Sequence, residues 1–251
     1  MYFCFPKIND MEKRELLYDG KAKQIFATDD PKYVIMNYKD DASAYYGVKK
    51  SSIKDKGMMN CHISEIIFNY LQKCGIKTHL VKCIDDNNML CRRVKAIPLE
   101  FIVRNLIAGS LARRLDIQEG TMPQSPIYEI CLKSDLLRDP MINRFHVKAL
   151  GYATDETLDA ILKMLKQVNE ALQKLFRQVD IDVVDFKLEF GFDNDGELIL
   201  IDEISPDTAR FWDSNSKEIL DSDRFRRDLG QVEEAYHEVL DRLQKLTSNL
   251  D

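Results

Sequence analysis

Several pieces that commonly declare a function are missing from this sequence. There is no GxxxxGK[ST] loop, which excludes a Walker-type phosphate cradle, and no GxSxG, which excludes a nucleophile-elbow hydrolase. The H-R-D and D-F-G segments of protein kinases are absent as well. The four histidines, His62, His79, His146 and His237, show no metal-ligand spacing. Six cysteines form no CxxC pair, and most lie inside apolar runs, so reduced thiols packed as small hydrophobes are expected. No stretch approaches the ~18 apolar residues of a spanning helix. The aromatic start, Met1 to Lys7, is too short for a signal sequence and has no basic segment before it. Residues 1–15 are therefore read as a short extension, and the protein as cytoplasmic. Low-complexity tracts, internal repeats and Gly/Ser linkers are also lacking.

What is present is an ordinary globular balance. Of 251 residues, 45% are apolar and 31% charged, enough for one large domain or two closely packed lobes. A net charge of -6 repels a phosphate backbone, so nucleic-acid binding is disfavoured. Strands are expected at Leu16 to Thr28 around a turn at Asp19-Gly20-Lys21, and at Tyr33 to Tyr38. Helical periodicity over Met58 to Cys74 ends at Gly75. Thr78 to Ile84 and Met89 to Val94 flank Asp85-Asp86-Asn87-Asn88 as a hairpin, and Leu99 to Val103 is a further strand. Thr154 caps a long amphipathic helix running to Val179. Val183 to Phe190 and Glu197 to Ile204 surround the turn Asp193-Asn194-Asp195-Gly196, and Arg224 to Leu246 reads as one last amphipathic helix. Hairpins first and capped helices later predict an α+β fold, with a strand-rich N-terminal lobe at residues 16–96 over a mixed C-terminal lobe at residues 97–251.

Three clusters suit phosphate and metal chemistry. In Tyr18-Asp19-Gly20-Lys21-Ala22-Lys23, a glycine turn and two lysines can meet a triphosphate, though an exposed hairpin with solvated lysines reads the same way. In Val183 to Phe190, Asp185, Lys187 and Glu189 alternate by two and share one strand face, while Val184, Phe186, Leu188 and Phe190 share the other. Asp202 on the partner strand pairs with Glu189 as a Mg²⁺ carboxylate set, the alternative being a cross-strand lysine–carboxylate network. Arg104, Asn105 and Ala108-Gly109-Ser110 precede a helical Leu111 to Leu115, an arrangement for cradling a phosphate or simply for capping a helix with serine. Lys49-Lys50 and Arg226-Arg227 read as solvated, and Trp212 as packed.

Taken in order, Y-D-G-K-A-K at Tyr18, K-G-M-M-N at Lys56, I-P-L-E-F-I-V-R-N at Ile97, A-G-S at Ala108, K-S-D at Lys133, D-P-M-I-N at Asp139, D-F-K-L-E-F-G at Asp185 and D-E-I-S-P-D at Asp202 resemble the SAICAR synthetase family. The resemblance spans nearly the whole chain from Leu16. It implies a two-lobed α+β fold related to ATP-grasp and kinase-like ATP sites, and a ligase joining ATP, the imidazole carboxylate nucleotide CAIR and L-aspartate. It also implies Mg²⁺ and a homodimer. By motif, Gly20, Lys21, Ala22, Lys23 and Lys133 resemble ATP contacts, and Glu189 and Asp202 the magnesium and nucleotide carboxylates. Arg104, Ser110 and Arg210 resemble the cradle for the ribose phosphate of CAIR. Lys187, Asp185 and Asp207 would line the reacting region. Asp41 and Ser43, with Lys56, Gly57 and Asn60, resemble the segment near the aspartate. A kinase-like phosphotransferase and a nucleotide-sensing module are the competing readings.

Overall fold

The computed structural model describes residues 11–44 and 47–248. The expectation for Met1 to Lys7, and the environment of Cys4, lie outside these residues. Chain order begins with strands β1 (Leu16–Asp19), β2 (Lys23–Ala27) and β3 (Tyr33–Tyr38), then a separate hairpin of β4 (Asp41–Ala44) and β5 (Lys49–Ser52), and helix α1 (Lys56–Lys73). Strands β6 (Leu80–Asp85) and β7 (Asn88–Arg92) return to the first sheet, giving the antiparallel order β1-β2-β3-β7-β6. Met11 packs with Ile35 and Leu90 on this sheet.

At Arg93 the chain crosses to a second antiparallel sheet. Its members are β8 (Val94–Arg104), β9 (Ile127–Leu132), β10 (Met141–Ile142), β11 (Ile181–Asp193), β12 (Leu198–Ile201) and β13 (Ala209–Asp213). Helices α2 (Gly109–Leu115), α3 (Arg144–Ala149), α4 (Asp155–Arg177), α5 (Asp223–Arg226) and α6 (Val232–Ser248) complete the α+β fold. Thr154 caps α4 by accepting from the Thr157 amide at 3.2 Å, as the sequence predicts. One apolar core runs through both sheets and the inner faces of α1, α4 and α6. Burying such faces is the main term favouring the folded state.

Strand β11 organises the site. Its one edge pairs with β8, but its other edge is shared, with β13 along Ile181 to Phe186 and β12 along Glu189 to Phe192. Opposite Lys187 and Leu188 the sheet edge is open, and the segment 202–208 leaves there, tied back by the Lys187 amide donating to the Thr208 carbonyl at 2.9 Å.

Two expectations are corrected. Val184 does not share a face with Phe186, Leu188 and Phe190: a bulge against β13 between Val183 and Asp185 turns it into a small cluster with Ala108 and Trp212, and puts Val183 in the main core. The last helix is not continuous from Arg224. It breaks at residues 227–231, where Asp228, Gly230 and Gln231 take positive φ, so Leu229 is half exposed rather than on the apolar face. Beyond these, β9, β13 and α3 were not apparent from periodicity.

Candidate active site

Between the two sheets lies a cavity of about 730 Å³. Its lining includes Gly20, Lys21, Ala22 and Lys23 from the first turn, Asp41 and Ser43 from the β4–β5 hairpin, and Lys133, Lys187, Glu189, Asp202 and Asp207 from the second sheet. Most of the residues singled out in the sequence therefore face one space.

Its centre is a lysine–carboxylate lattice. Lys187 Nζ donates to Glu189 Oε1 at 2.6 Å, Asp202 Oδ2 at 2.8 Å and Glu100 Oε1 at 3.2 Å. Lys133 donates to the other oxygen of Glu189 at 2.5 Å. Lys23, from the first sheet, donates to Asp202 and lies 2.8 Å from Glu203. Burial alone would drive the Lys187 ammonium toward neutrality, but Asp202, Glu189 and Glu100 outweigh it and hold its pKa well above the ordinary value. Burial likewise opposes ionisation of Asp202, yet Lys187, Lys23 and Lys133 keep its carboxyl well below the usual range. The lattice is thus charged on both sides, a preorganised field for an anion bearing several negative oxygens. Asp202 adopts φ 73°, an uncommon conformation for a non-glycine, at the point where the chain leaves β12.

Lys21 lines the cavity with Lys23, but it pairs with exposed Asp135 and not with the carboxylates that hold Lys23. Asp207 is held by three donors, Lys56 Nζ at 2.5 Å, Tyr236 Oη at 2.6 Å and Asn60 Nδ2 at 2.9 Å. At the apolar end, Ile25, Val34 and Met36 meet His79, whose burial lowers its pKa to about 4 and leaves the ring neutral.

Arg104, Ser110, Asp185 and Arg210 come together, but as a neighbouring network that is not part of the cavity lining. Arg104 donates to Glu129 at 2.7 Å, to Asp185 at 2.7 Å and to Ser110 Oγ at 3.3 Å. Arg210 donates to Asp185 at 2.8 Å and to Asp223 at 2.9 Å. Gly109 is required here, because a Cβ at that position would lie 2.4 Å from the Arg210 guanidinium and its φ is +56°. Ser110 does not cap α2, whose capping residue is Ala108.

Arg227 is exposed as expected, while Lys49 is only partly so, and both are held by partners. Lys49 donates to the Phe225 carbonyl and to Asp228, both at 2.5 Å, and Arg227 pairs with Glu119 at 2.6 Å. Arg226 lines the cavity. Sequence reasoning also missed Glu203, Glu100, Glu129 and Asp223 as partners of the basic groups, and assigned Tyr236 only to the helix core. Glu203 beside Asp202 was the one visible signal; the others needed strand register. The five described cysteines are free, and no described helix is long and apolar enough to cross a membrane.

The sequence profile of SAICAR synthetase matches residues 16–243. The chain belongs to the SAICAR synthetase family. It is 52% identical over 235 residues to the phosphoribosylaminoimidazole-succinocarboxamide synthase of Clostridium botulinum, covering 94% of this chain and 100% of the relative. Among solved structures, the Ehrlichia chaffeensis synthase superposes with a TM-score of 0.90 at 41% identity, covering 92% of this chain and 98% of that one. A SAICAR synthetase solved in complex with ADP superposes with a TM-score of 0.88 at 45% identity, covering 91% and 97%. Membership in the SAICAR synthetase family makes this chain an enzyme of purine biosynthesis, an ATP-dependent ligase that joins L-aspartate to the carboxylate of CAIR to form SAICAR.

Proposed function

We propose that this ligation takes place in the cavity between the sheets, with the triphosphate of ATP lying between Lys23 of the first sheet and Lys133, Lys187, Glu189 and Asp202 of the second. The observation that carries this reading is the ion pair of Lys23 with Asp202, which joins groups 179 residues apart at the cavity wall. On this reading Gly20, Lys21 and Ala22 border the phosphates, the apolar end around neutral His79 takes the base, and residues 16–96 and 97–251 act as nucleotide and substrate lobes.

Mg²⁺ fits the donor set. Glu189 and Asp202 each place an oxygen within 3 Å of one ammonium, and hard oxygen donors in ones and twos, completed by phosphates and water, are what this ion takes. Among the described residues no group of three or more His, Cys, Asp or Glu could hold a metal, so Glu189 and Asp202 would hold it with the substrate's help. When bound, the ion would offset charge on the phosphoryl oxygens.

A free carboxylate does not accept an amine, because its oxygen leaves poorly. The CAIR carboxylate therefore attacks the γ-phosphorus as its bond to the ADP oxygen breaks, giving an acyl phosphate and ADP. The aspartate amine then attacks the acyl carbon and loses a proton, and inorganic phosphate departs with the electron pair of the C–O bond. Lys187 and Lys133 stabilise the transferring group. Arg104, Ser110 and Arg210 would hold the ribose phosphate, with Asp185 fixing both guanidinium groups. Asp207, locked by Lys56 and Tyr236, would border the reacting carbon, and Asp41 and Ser43 the aspartate.

With purified protein, ADP should appear in step with the amide only when ATP, Mg²⁺, CAIR and aspartate are all present. ADP release without aspartate would favour a phosphotransferase, and no release a nucleotide sensor. The working form we propose is a cytoplasmic homodimer, a reading supported by the exposed Leu136, Leu137, Met141 and Phe145 close together in the chain. A single-chain mass by sedimentation would contradict the dimer.

A further inference from the structure

Glu203 is a buried carboxylate to which the ligase reading gives no role. It is 2% exposed and stands just past the end of β12. A carboxylate in such a place is costly unless it is both paired and hydrogen-bonded. Its Oε1 lies 2.8 Å from Lys23 Nζ, and its Oε2 accepts from the Ser205 hydroxyl at 2.6 Å. Ser205 is fully buried and is itself fixed, its Oγ accepting from the Asp207 amide at 3.1 Å. The Thr208 hydroxyl donates to the Glu203 carbonyl at 3.2 Å, and the Ser64 hydroxyl of α1 donates to the next carbonyl, that of Ile204, at 3.2 Å. Side chain and backbone of Glu203 are thus held together.

Lys23 is the opposite case, a long side chain reaching across from β2, whose ordering costs rotamer entropy. Two carboxylates adjacent in the chain, Asp202 and Glu203, hold its ammonium. Asp202 does not belong to Lys23 alone. Lys187 donates to its other oxygen at 2.8 Å, and the reading above also gives it to Mg²⁺. A carboxylate shared with a divalent cation is a poor anchor for an ammonium, because the two cations repel. Glu203 is divided differently, with one oxygen on Lys23 and the other on a neutral hydroxyl.

We propose that Glu203 is a positioning residue for the nucleotide: it keeps the Lys23 ammonium in place once Asp202 is engaged elsewhere, with Ser205 orienting the carboxylate. The proposal rests on the reading that puts the phosphates beside Lys23 and adds to it the group that holds this lysine ready. An ammonium has three donors, so a Lys23 anchored on Glu203 alone keeps donors for phosphate oxygens. Ordering the side chain in advance removes a cost that nucleotide binding would otherwise carry.

The test is calorimetric titration of the purified full chain with ADP, with and without Mg²⁺. Glu203→Gln keeps the shape and an oxygen for the Ser205 hydroxyl but gives up the charge that holds Lys23. With Mg²⁺ present this variant is expected to bind ADP about tenfold more weakly, and without Mg²⁺, where Asp202 still holds Lys23, only about twofold more weakly. In a Lys23→Ala background the loss should vanish, because Glu203 acts through that lysine; a merely structural role would produce no such coupling. Ser205→Ala, which keeps the charge but frees its orientation, should weaken ADP binding by a smaller factor. An ADP affinity unchanged or tighter in Glu203→Gln, or in Ser205→Ala should the first variant not fold, overturns the proposal. So does an equal loss with and without Mg²⁺, or a loss that persists in the Lys23→Ala background. If Lys23→Ala alone binds ADP as the unaltered protein does, it is the placement of the phosphates that fails.

Discussion

The Arg104 guanidinium sits 3% exposed between Glu129 and Asp185, and Asp185 accepts from Arg210 as well. Two carboxylates and two guanidinium groups thus meet in one network, and on the proposed reading the edge of Arg104 toward Ser110 is what remains for a substrate phosphate. Arg104 would then be as much a structural residue as a binding one. Arg104→Ala leaves buried Glu129 with Arg114 alone and buried Asp185 with Arg210 alone, and should cost about 1–3 kcal/mol of stability by urea unfolding. An unchanged midpoint, with only a higher KM for CAIR, would show that water replaces the arginine without penalty. The same lesson holds for Asp207. Its residue type and its place after a Ser-Pro turn make it a candidate in the sequence, but nothing in the spacing says that Lys56, Asn60 and Tyr236 converge on it. Individual charged residues were legible in the sequence because a carboxylate in an apolar run demands a partner. The partners themselves, Glu129 and Asp223 among them, depend on which strands and loops become neighbours.

Strand β11 shows how an element converts sequence into a site. Alternation correctly places Asp185, Lys187 and Glu189 on the polar side, and the hairpin turn at Asp193 to Gly196 fixes the pairing of Glu189 with Ile201. The bulge at Val184 is invisible to alternation, because Val183 and Val184 are the same residue type and only the register against β13 distinguishes them. The gap between β12 and β13 has no sequence signature either, yet it lets the segment 202–208 carry Asp202, Glu203 and Asp207 to the cavity. At the C-terminus, apolar periodicity persisted through a break that Asp228-Leu229-Gly230 encodes by turn chemistry. Gly230 has φ +72°, with open space where a Cβ would project. Gly230→Ala should therefore cost about 1–2 kcal/mol from backbone strain alone, seen as a lower urea midpoint with an unchanged slope. A neutral result would mean that α5 and α6 tolerate another connection, and would weaken the case that α5 is held in one position over the cavity.

At the scale of the molecule, two antiparallel sheets joined through Arg93 share one core and enclose the lysine–carboxylate lattice between them. The α+β class and the ordered blocks from Tyr18 to Asp207 could be read from sequence, since periodicity and turn residues are local. The enclosure could not, because it depends on α1 packing against α6 and on the crossing from β7 to β8. Separating the sheets would separate Lys23 from Asp202, so on the proposed reading nucleotide binding and the arrangement of the sheets are one property of this fold. A crystal structure with ADP and Mg²⁺ tests that directly. The account predicts the phosphates beside Lys23 and Lys187 with the ion on Glu189 and Asp202; phosphates bound away from these four side chains would contradict it.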